Sequence, residues 1–150
     1  MKKIIFILFL LSAAVNSQPV KKSDKVLFDN TYISFSCGKA LSHKGFLFSM
    51  DILSPIVSHI TLATGINVSF PGVFLDVIPY YNLRTSKNSY GSIGAGILFS
   101  RTDYGWAASL KYDLQLSKES LFGGELRCNI PTNKDDELSP VFMLHYSIKL

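Results

Sequence analysis

His145 and Ser147 are the two residues whose types and spacing come closest to reaction chemistry in this chain. A histidine can activate a serine hydroxyl as its general base, but a carboxylate must orient the imidazole ring. No acid follows Ser147 in the sequence, and Glu125 could replace it only by coincidence of the fold. The alternative is that His145 belongs to a hydrogen-bonded polar interior, and the missing acid favours this alternative.

Metal and ligand sites have little support in the sequence. Residues 134–137 include three consecutive acids, and carboxylate oxygens bind calcium, but the segment does not resemble an EF-hand loop. A solvated loop is the better prediction for this charge run. His43 and His59 are isolated. The tripeptide Tyr104-Gly105-Trp106 is similar to the G-x-W motif of lipocalins, but it lies too late in the chain. The sequence therefore predicts no metal and no cofactor.

Cys37 and Cys128 are the two cysteines of the chain, and an exported protein could join them in a disulfide. In the strand scheme below they lie on the first and seventh strands, with the eighth between them. Two inter-strand steps span roughly 9–10 Å, which exceeds the roughly 7 Å Cα limit for a disulfide. We expect two small, unbridged side chains on the apolar face.

The chain contains segments in which apolar and polar residues alternate strictly. The clearest is 104–116, where Tyr104, Trp106 and every second residue to Leu116 are apolar or aromatic. A period of two residues is typical of a β-strand with unlike faces. The segment is longer than the five or six residues usual in soluble strands, and it covers the roughly 9–11 needed to cross a bilayer.

Eight such segments are separated by residues that favour turns. The predicted strands are 32–37, 44–53, 58–69, 73–83, 89–99, 104–116, 121–130 and 141–150. Pro79 falls inside the fourth segment, and we expect a bulge or a strand end there because proline removes a ladder hydrogen bond. An even number of strands with short connections predicts an all-β, eight-stranded antiparallel up-and-down barrel, closed between the first and eighth strands.

The first residues have the pattern of a secretory signal peptide. Lys2 and Lys3 precede the apolar run 4–11, and small residues surround a cleavage point that we place after Ser17. An N-terminal anchor or a core helix is the alternative, but the run is shorter than the roughly 20 residues of a spanning helix. The expected organisation is a signal peptide at 1–17, a polar lead-in at 18–30 and one barrel domain at 31–150.

Composition indicates an unusually low charge content and argues against a nucleic-acid partner. Charged residues make up 17% of the chain, against about 25% in ordinary soluble domains. The formal net charge is +4 and becomes about +2 without Lys2 and Lys3, which is too weak and dispersed for a nucleic-acid partner. The mature chain of about 130 residues is long enough for one domain.

The polar face of the predicted strands consists of glycine, serine, alanine, threonine and asparagine with a few charges of both signs. This composition suits the interior of an eight-stranded barrel, which side chains just fill. Charges there must pair with one another. We predict an interior polar network of Asp51, Asp76, Lys111, Asp113, Glu125, Arg127, His145 and Lys149, and outward aromatic girdles including Tyr81, Tyr104, Trp106 and Tyr146.

These patterns resemble the small outer-membrane β-barrel family of Gram-negative bacteria. The matching pieces are residues 77–81 (VIPYY), 92–97 (SIGAGI) and the closing segment 142–150. Members of that family typically end in an aromatic residue that the barrel-assembly machinery recognises. This chain ends in Leu150, although Tyr146 and Ile148 keep the pattern.

The resemblance implies an outer-membrane barrel. Eight strands leave too little lumen for an open pore, and by elimination we expect a structural or surface-interaction role and no enzyme activity. Its implied partners are outer-membrane lipid and the barrel-assembly machinery. Lipid A deacylases resemble the chain in their spacing of His145 and Ser147, so a lipid A-modifying enzyme is one alternative. The lipid A palmitoyltransferase type usually has a leading amphipathic helix, which residues 19–30 do not resemble. The other alternative is a soluble, exported, lipocalin-like barrel that turns its apolar face inward around an apolar ligand.

Overall fold

The computed structural model describes residues 30–41, 45–57, 59–69, 72–101, 104–132 and 138–150. The predicted signal peptide, nearly all of the lead-in, His43 and the acidic run 134–137 lie outside these residues, so those expectations stay predictions. Within the described ranges no helix is long and apolar enough to cross a membrane.

Eight antiparallel strands form one closed barrel in which each strand pairs with its neighbours in sequence and β1 pairs with β8. This arrangement confirms the predicted fold class. The strands are β1 Tyr32–Ala40, β2 Phe46–Val57, β3 Ile60–Ser69, β4 Gly72–Ser86, β5 Ser89–Ser100, β6 Tyr104–Gln115, β7 Ser120–Pro131 and β8 Ser139–Lys149.

The barrel has two unlike ends. At one end, which we call the turn end, residues 58–59, 87–88 and 116–119 connect successive strands, and β1 begins beside the last residues of β8. At the other, the loop end, the connections are 41–45, 70–71, 101–103 and 132–138. Because the strands contain 9 to 15 residues, these ends lie on opposite sides of a wall long enough to span a bilayer.

Pro79 lies in the middle of β4, so the prediction of a bulge or strand end there is wrong. It is opposite Leu62 of β3, and the β4–β5 register is the same on both sides of it, with Val77 opposite Ile97 and Tyr80 opposite Gly94. A slip by one residue would turn every following side chain to the wrong face. A single missing ladder bond costs less than that, so the strand continues through the proline.

The outer face of the barrel is apolar and the inner face is mostly polar. Large apolar side chains that point outward are 38–68% exposed, including Trp106 at 51%. The residues between them point inward and are buried, as Asp113 is at 1%. Since a soluble domain would bury the larger apolar set, this inside-out arrangement is that of a barrel surrounded by lipid.

Several inward positions are apolar, which the sequence pattern did not predict. Leu47, Val141 and Met143 form one small cluster, and a second cluster includes Ile78. Met143 and Ile78 are fully buried. These side chains occupy interior volume between the polar groups, so the interior is a packed core of both kinds of residue.

Candidate functional site

Arg127 of β7 is the centre of a buried ion-pair network. Its Nε lies 2.8 Å from Glu125 Oε1 on the same strand, and its Nη1 lies 2.6 Å from Asp76 Oδ2 on β4. Nη1 also donates to Asn67 Oδ1 at 3.1 Å. Alternation of side chains places residues 125 and 127 on the same inner face, and Asp76 reaches them from across the barrel.

Glu125 connects two further side chains to this centre, and one of them, Tyr80, contacts Lys111 in turn. Its Oε1 accepts hydrogen bonds from the Tyr80 hydroxyl at 2.9 Å and from the Ser109 hydroxyl at 2.7 Å. Lys111 Nζ lies 5.8 Å from the centre of the Tyr80 ring, within the range of a cation–π interaction. The buried carboxylate therefore joins β4, β6 and β7 through charge-assisted hydrogen bonds.

Asp51 of β2 is the buried acid with the weakest compensation. Its Oδ2 accepts a hydrogen bond from Ser49 Oγ at 2.6 Å, but no described residue forms an ion pair with it. Its Oδ1 and the Oδ1 of Asp76 both lack a hydrogen-bond partner. Both oxygens face the space beside Gly65, where a side chain would collide with Asp51. The glycine thus lets two carboxylates approach the same point.

His145 and Asp113 form a second buried pair. The His145 Nε2 lies 2.6 Å from Asp113 Oδ1, and Gly123 provides the room, since a Cβ there would lie 2.6 Å from that nitrogen. Ser147 donates its hydroxyl hydrogen to Ser34 Oγ at 3.0 Å and has no described hydrogen bond to His145. His145 and Ser147 therefore lack, among the described contacts, the nucleophile–base hydrogen bond of acyl transfer, and both side chains are buried, at 2% and 0% exposure.

A third polar group joins β3, β4 and β5 near the turn end. Asn82 donates through Nδ2 to Thr61 Oγ1 at 2.5 Å and accepts at Oδ1 from Ser92 Oγ at 2.8 Å. A small cavity beside Asn82, Thr61 and Ser92 has a volume of about 10 Å³. That volume is about one water molecule, so this cavity has no room for a ligand.

The structure brings most of the predicted interior residues together. Asp76, Glu125 and Arg127 share one network, Asp113 and His145 form the other pair, and Asp51 and Lys111 are buried beside them. Lys149 is separate, because it lies half-buried at the turn end. The network residues that sequence reasoning missed are all buried on the inner face: Asn67, Tyr80, Asn82, Ser109 and Ser34.

The four predicted girdle aromatics all point outward, with exposures from 39% to 56%. Tyr104 and Trp106 begin β6 at the loop end, next to Phe99 of β5. Tyr81 and Tyr146 lie toward the turn end, opposite Ile60 and Phe122 respectively. The aromatics therefore divide between the two ends, where membrane interfaces would lie.

Cys37 and Cys128 are unbridged, as predicted, on β1 and β7 with β8 between them. Among the residues that the structure describes, no group of three or more potential ligands could hold a metal ion.

No family model matches the chain, and no curated protein sequence matches it. Solved structures do match. A de novo designed transmembrane β-barrel is 11% identical with a TM-score of 0.70, covering 81% of this chain and 95% of the design. The N-terminal β-barrel domain of Pseudomonas aeruginosa OprF is 10% identical with a TM-score of 0.68, covering 81% of this chain and 98% of that domain.

The outer-membrane enzyme PagL is also similar, at 10% identity and a TM-score of 0.61, covering 79% of this chain and 99% of that chain. The chain therefore has the fold of eight-stranded transmembrane β-barrels that occur in outer membranes. Because the similar structures include an enzyme, the fold alone does not decide whether this chain is one.

Proposed function

We propose that the chain is a small outer-membrane β-barrel protein with a structural or surface-interaction role, and that it is neither an open pore nor an enzyme. The observation that carries the proposal is the inside-out distribution of residues: an exposed apolar wall around an interior filled by the Arg127 network. Eight strands leave little lumen, and packed side chains occupy it here. A filled interior would block the flow of solutes.

The proposal includes export by the signal peptide predicted at 1–17, insertion by the barrel-assembly machinery, and outer-membrane lipid as the principal partner. Support comes from the exposed apolar wall and from the outer-membrane barrels that share the fold. The lipocalin-like alternative needs the apolar side chains inside, and the structure has them outside.

Envelope fractionation followed by gel electrophoresis with and without boiling tests the proposal. We expect the protein in the outer-membrane fraction, with a folded band that migrates differently until boiling unfolds the barrel. A soluble protein whose migration does not change on boiling would overturn the membrane assignment.

The enzyme alternative has a separate test in His145→Ala. We expect the lipid A mass spectrum of cells with this variant to equal that of cells with the wild type. Lipid A modification that appears with the wild type and disappears with His145→Ala would show that the barrel is an enzyme. Heat-modifiable migration of the variant shows that it has folded.

A further inference from the structure

Positive charge is concentrated at the turn end of the barrel. Arg84 and Lys87 lie on the β4–β5 hairpin, Lys118 lies in the β6–β7 connection, and Lys149 ends β8. Glu119 is the acid that opposes these four bases among the described residues of this end. Arg84, Lys87 and Lys118 are exposed, and Lys149 is half-buried.

Backbone hydrogen bonds fix the segments that carry these charges. Gln115 donates to the Asn88 carbonyl at 2.8 Å, which joins the two hairpin connections, and Lys149 donates to the Glu119 carbonyl at 2.8 Å. The Arg84 guanidinium donates to the carbonyls of Ser86 at 3.1 Å and Lys87 at 2.9 Å, so it is held over its own turn. The four basic residues therefore belong to one ordered rim.

The rim borders directly on the apolar wall. Leu116 is 61% exposed two residues before Lys118, and Ile148 is 45% exposed next to Lys149. Tyr81 is exposed three residues before Arg84. Long basic side chains in such places extend to the headgroup level while their stems cover apolar surface. If the wall lies in hydrocarbon, the basic groups lie among lipid headgroups.

The loop end does not have this excess. Its described residues include Lys39 and Arg101, and the sequence of its connections adds Lys44 and Lys134. Against these four bases the sequence has four acids in the connections, Asp103, Asp135, Asp136 and Glu137. The two ends therefore differ in net charge, and the difference is confined to the rims because the barrel wall is apolar.

We infer that the turn end is a contact surface for anionic phospholipids, whose phosphate groups it attracts through Arg84, Lys87, Lys118 and Lys149. This inference rests on the proposed function, since it requires the apolar wall to be in a bilayer. A basic residue near an anionic membrane surface contributes roughly 1 kcal/mol, or about five-fold in lipid preference. The attraction weakens with salt as the Debye length falls from about 10 Å at 0.1 M.

The test uses the full protein folded into phosphatidylcholine vesicles that contain a minority of phosphatidylglycerol. Electron spin resonance of spin-labelled lipids measures the preference of the barrel for phosphatidylglycerol over phosphatidylcholine. The variant is Lys87→Gln combined with Lys118→Gln at the turn end. The matched control is Lys39→Gln combined with Arg101→Gln, which removes equal charge from exposed positions at the loop end.

We expect the turn-end variant to reduce the phosphatidylglycerol preference by about five-fold or less per removed charge, and the loop-end control to leave it unchanged. Equal effects of the two variants, or no preference in the wild type, would overturn the inference. A phosphatidylglycerol preference that does not weaken as the salt concentration is raised would also overturn it, because the proposed attraction is electrostatic. A heat-modifiable band in the same vesicles reports insertion, so failure of the proposed function is seen separately.

Discussion

At the scale of single residues, Arg127 is the cation on which the buried network depends. It is 2% exposed and contacts two carboxylates and an amide from three strands. A buried ion pair gains little over a well-packed apolar pair, but removal of one partner leaves the other charge uncompensated in a low-dielectric interior. Arg127 therefore contributes to stability mainly because its removal would leave Glu125 and Asp76 as uncompensated buried charges.

We predict that Arg127→Met lowers the free energy of unfolding by roughly 3–5 kcal/mol, since Glu125 and Asp76 then lose their cation. Urea unfolding of the barrel in vesicles, followed by tryptophan fluorescence, measures the change. Lys39→Met, at an exposed position, is the control. A loss below about 1 kcal/mol for Arg127→Met would contradict the network described here.

Asp51 and Asp76 should respond in opposite ways to the same substitution. We predict that Asp51→Asn keeps or raises stability by about 1 kcal/mol, because the new amide can donate to the unpartnered Oδ1 of Asp76. Asp76→Asn removes an ion-pair partner of Arg127 and should cost roughly 3 kcal/mol. The same urea experiment compares them, and equal losses in both variants would refute the assignment of Asp51 as the uncompensated acid.

Residue-scale prediction from sequence located the charges but not their partners. Alternation along each strand placed Asp51, Asp76, Glu125 and Arg127 on the inner face. It could not show that Arg127 reaches Asp76 across the barrel, because the two residues are 51 positions apart. It also gave no reason to include Tyr80 or Asn67 in the network. Many other residues occupy inward-facing strand positions without contacting a charged group.

At the scale of elements, two adjacent glycines of β7 differ in the space that surrounds them. Gly123 points inward beneath His145, whereas Gly124 has its nearest neighbours 3.7 Å from an added Cβ. The inward position has no room for a side chain because His145 and the Tyr112 carbonyl fill the space. The outward position has ordinary contact distances.

We predict that Gly123→Ala lowers the free energy of unfolding by about 1–3 kcal/mol through overpacking against His145. Gly124→Ala is the matched control on the same strand and should change stability by less than about 0.5 kcal/mol. Denaturant midpoints of the two variants, measured in the same vesicles, test whether only the Gly123→Ala substitution destabilises the barrel. Equal midpoints would mean that the space beneath His145 is not restricted.

Strand positions were largely predictable because the period of two residues persists in all eight segments. The largest difference is at β2, which continues beyond Leu53 to Val57 in pairing with β3. Next come β1, which continues beyond Cys37 to Ala40, and β4, which continues beyond Leu83 to Ser86. Pairing with a neighbour extends each strand past the end of its own alternation: β8 does so for β1, and β5 for β4. The prediction at Pro79 was wrong for the same reason: pairing with β3 and β5 in a constant register continues the strand although proline disfavours it locally.

At the scale of the whole molecule, closure between β1 and β8 is the feature that leaves no free edge in the barrel. Cys37 is directly opposite Leu144 in this seam. Directly opposed residues have Cα atoms about 4.5–5.5 Å apart, which is within the range for a disulfide.

We predict that Leu144→Cys, in a Cys128→Ala background, forms a disulfide with Cys37 on mild oxidation and locks the seam. Thiol titration of the folded protein and migration on a non-reducing gel measure the bond. Ile148→Cys in the same background lies opposite Ile33 and should remain reduced. A bridge from position 148, or none from position 144, would show that the seam has a different register.

The sequence by itself determined that the chain makes eight amphipathic strands, because alternation is a local property that each segment displays alone. It also determined which residues share a face. The composition of the polar face also predicted that the apolar face points outward. Only the tertiary structure decided that Ile78 and Met143 fill interior volume and which charges meet across the barrel. Those outcomes depend on closure, since register around a closed sheet sets which distant side chains face one another.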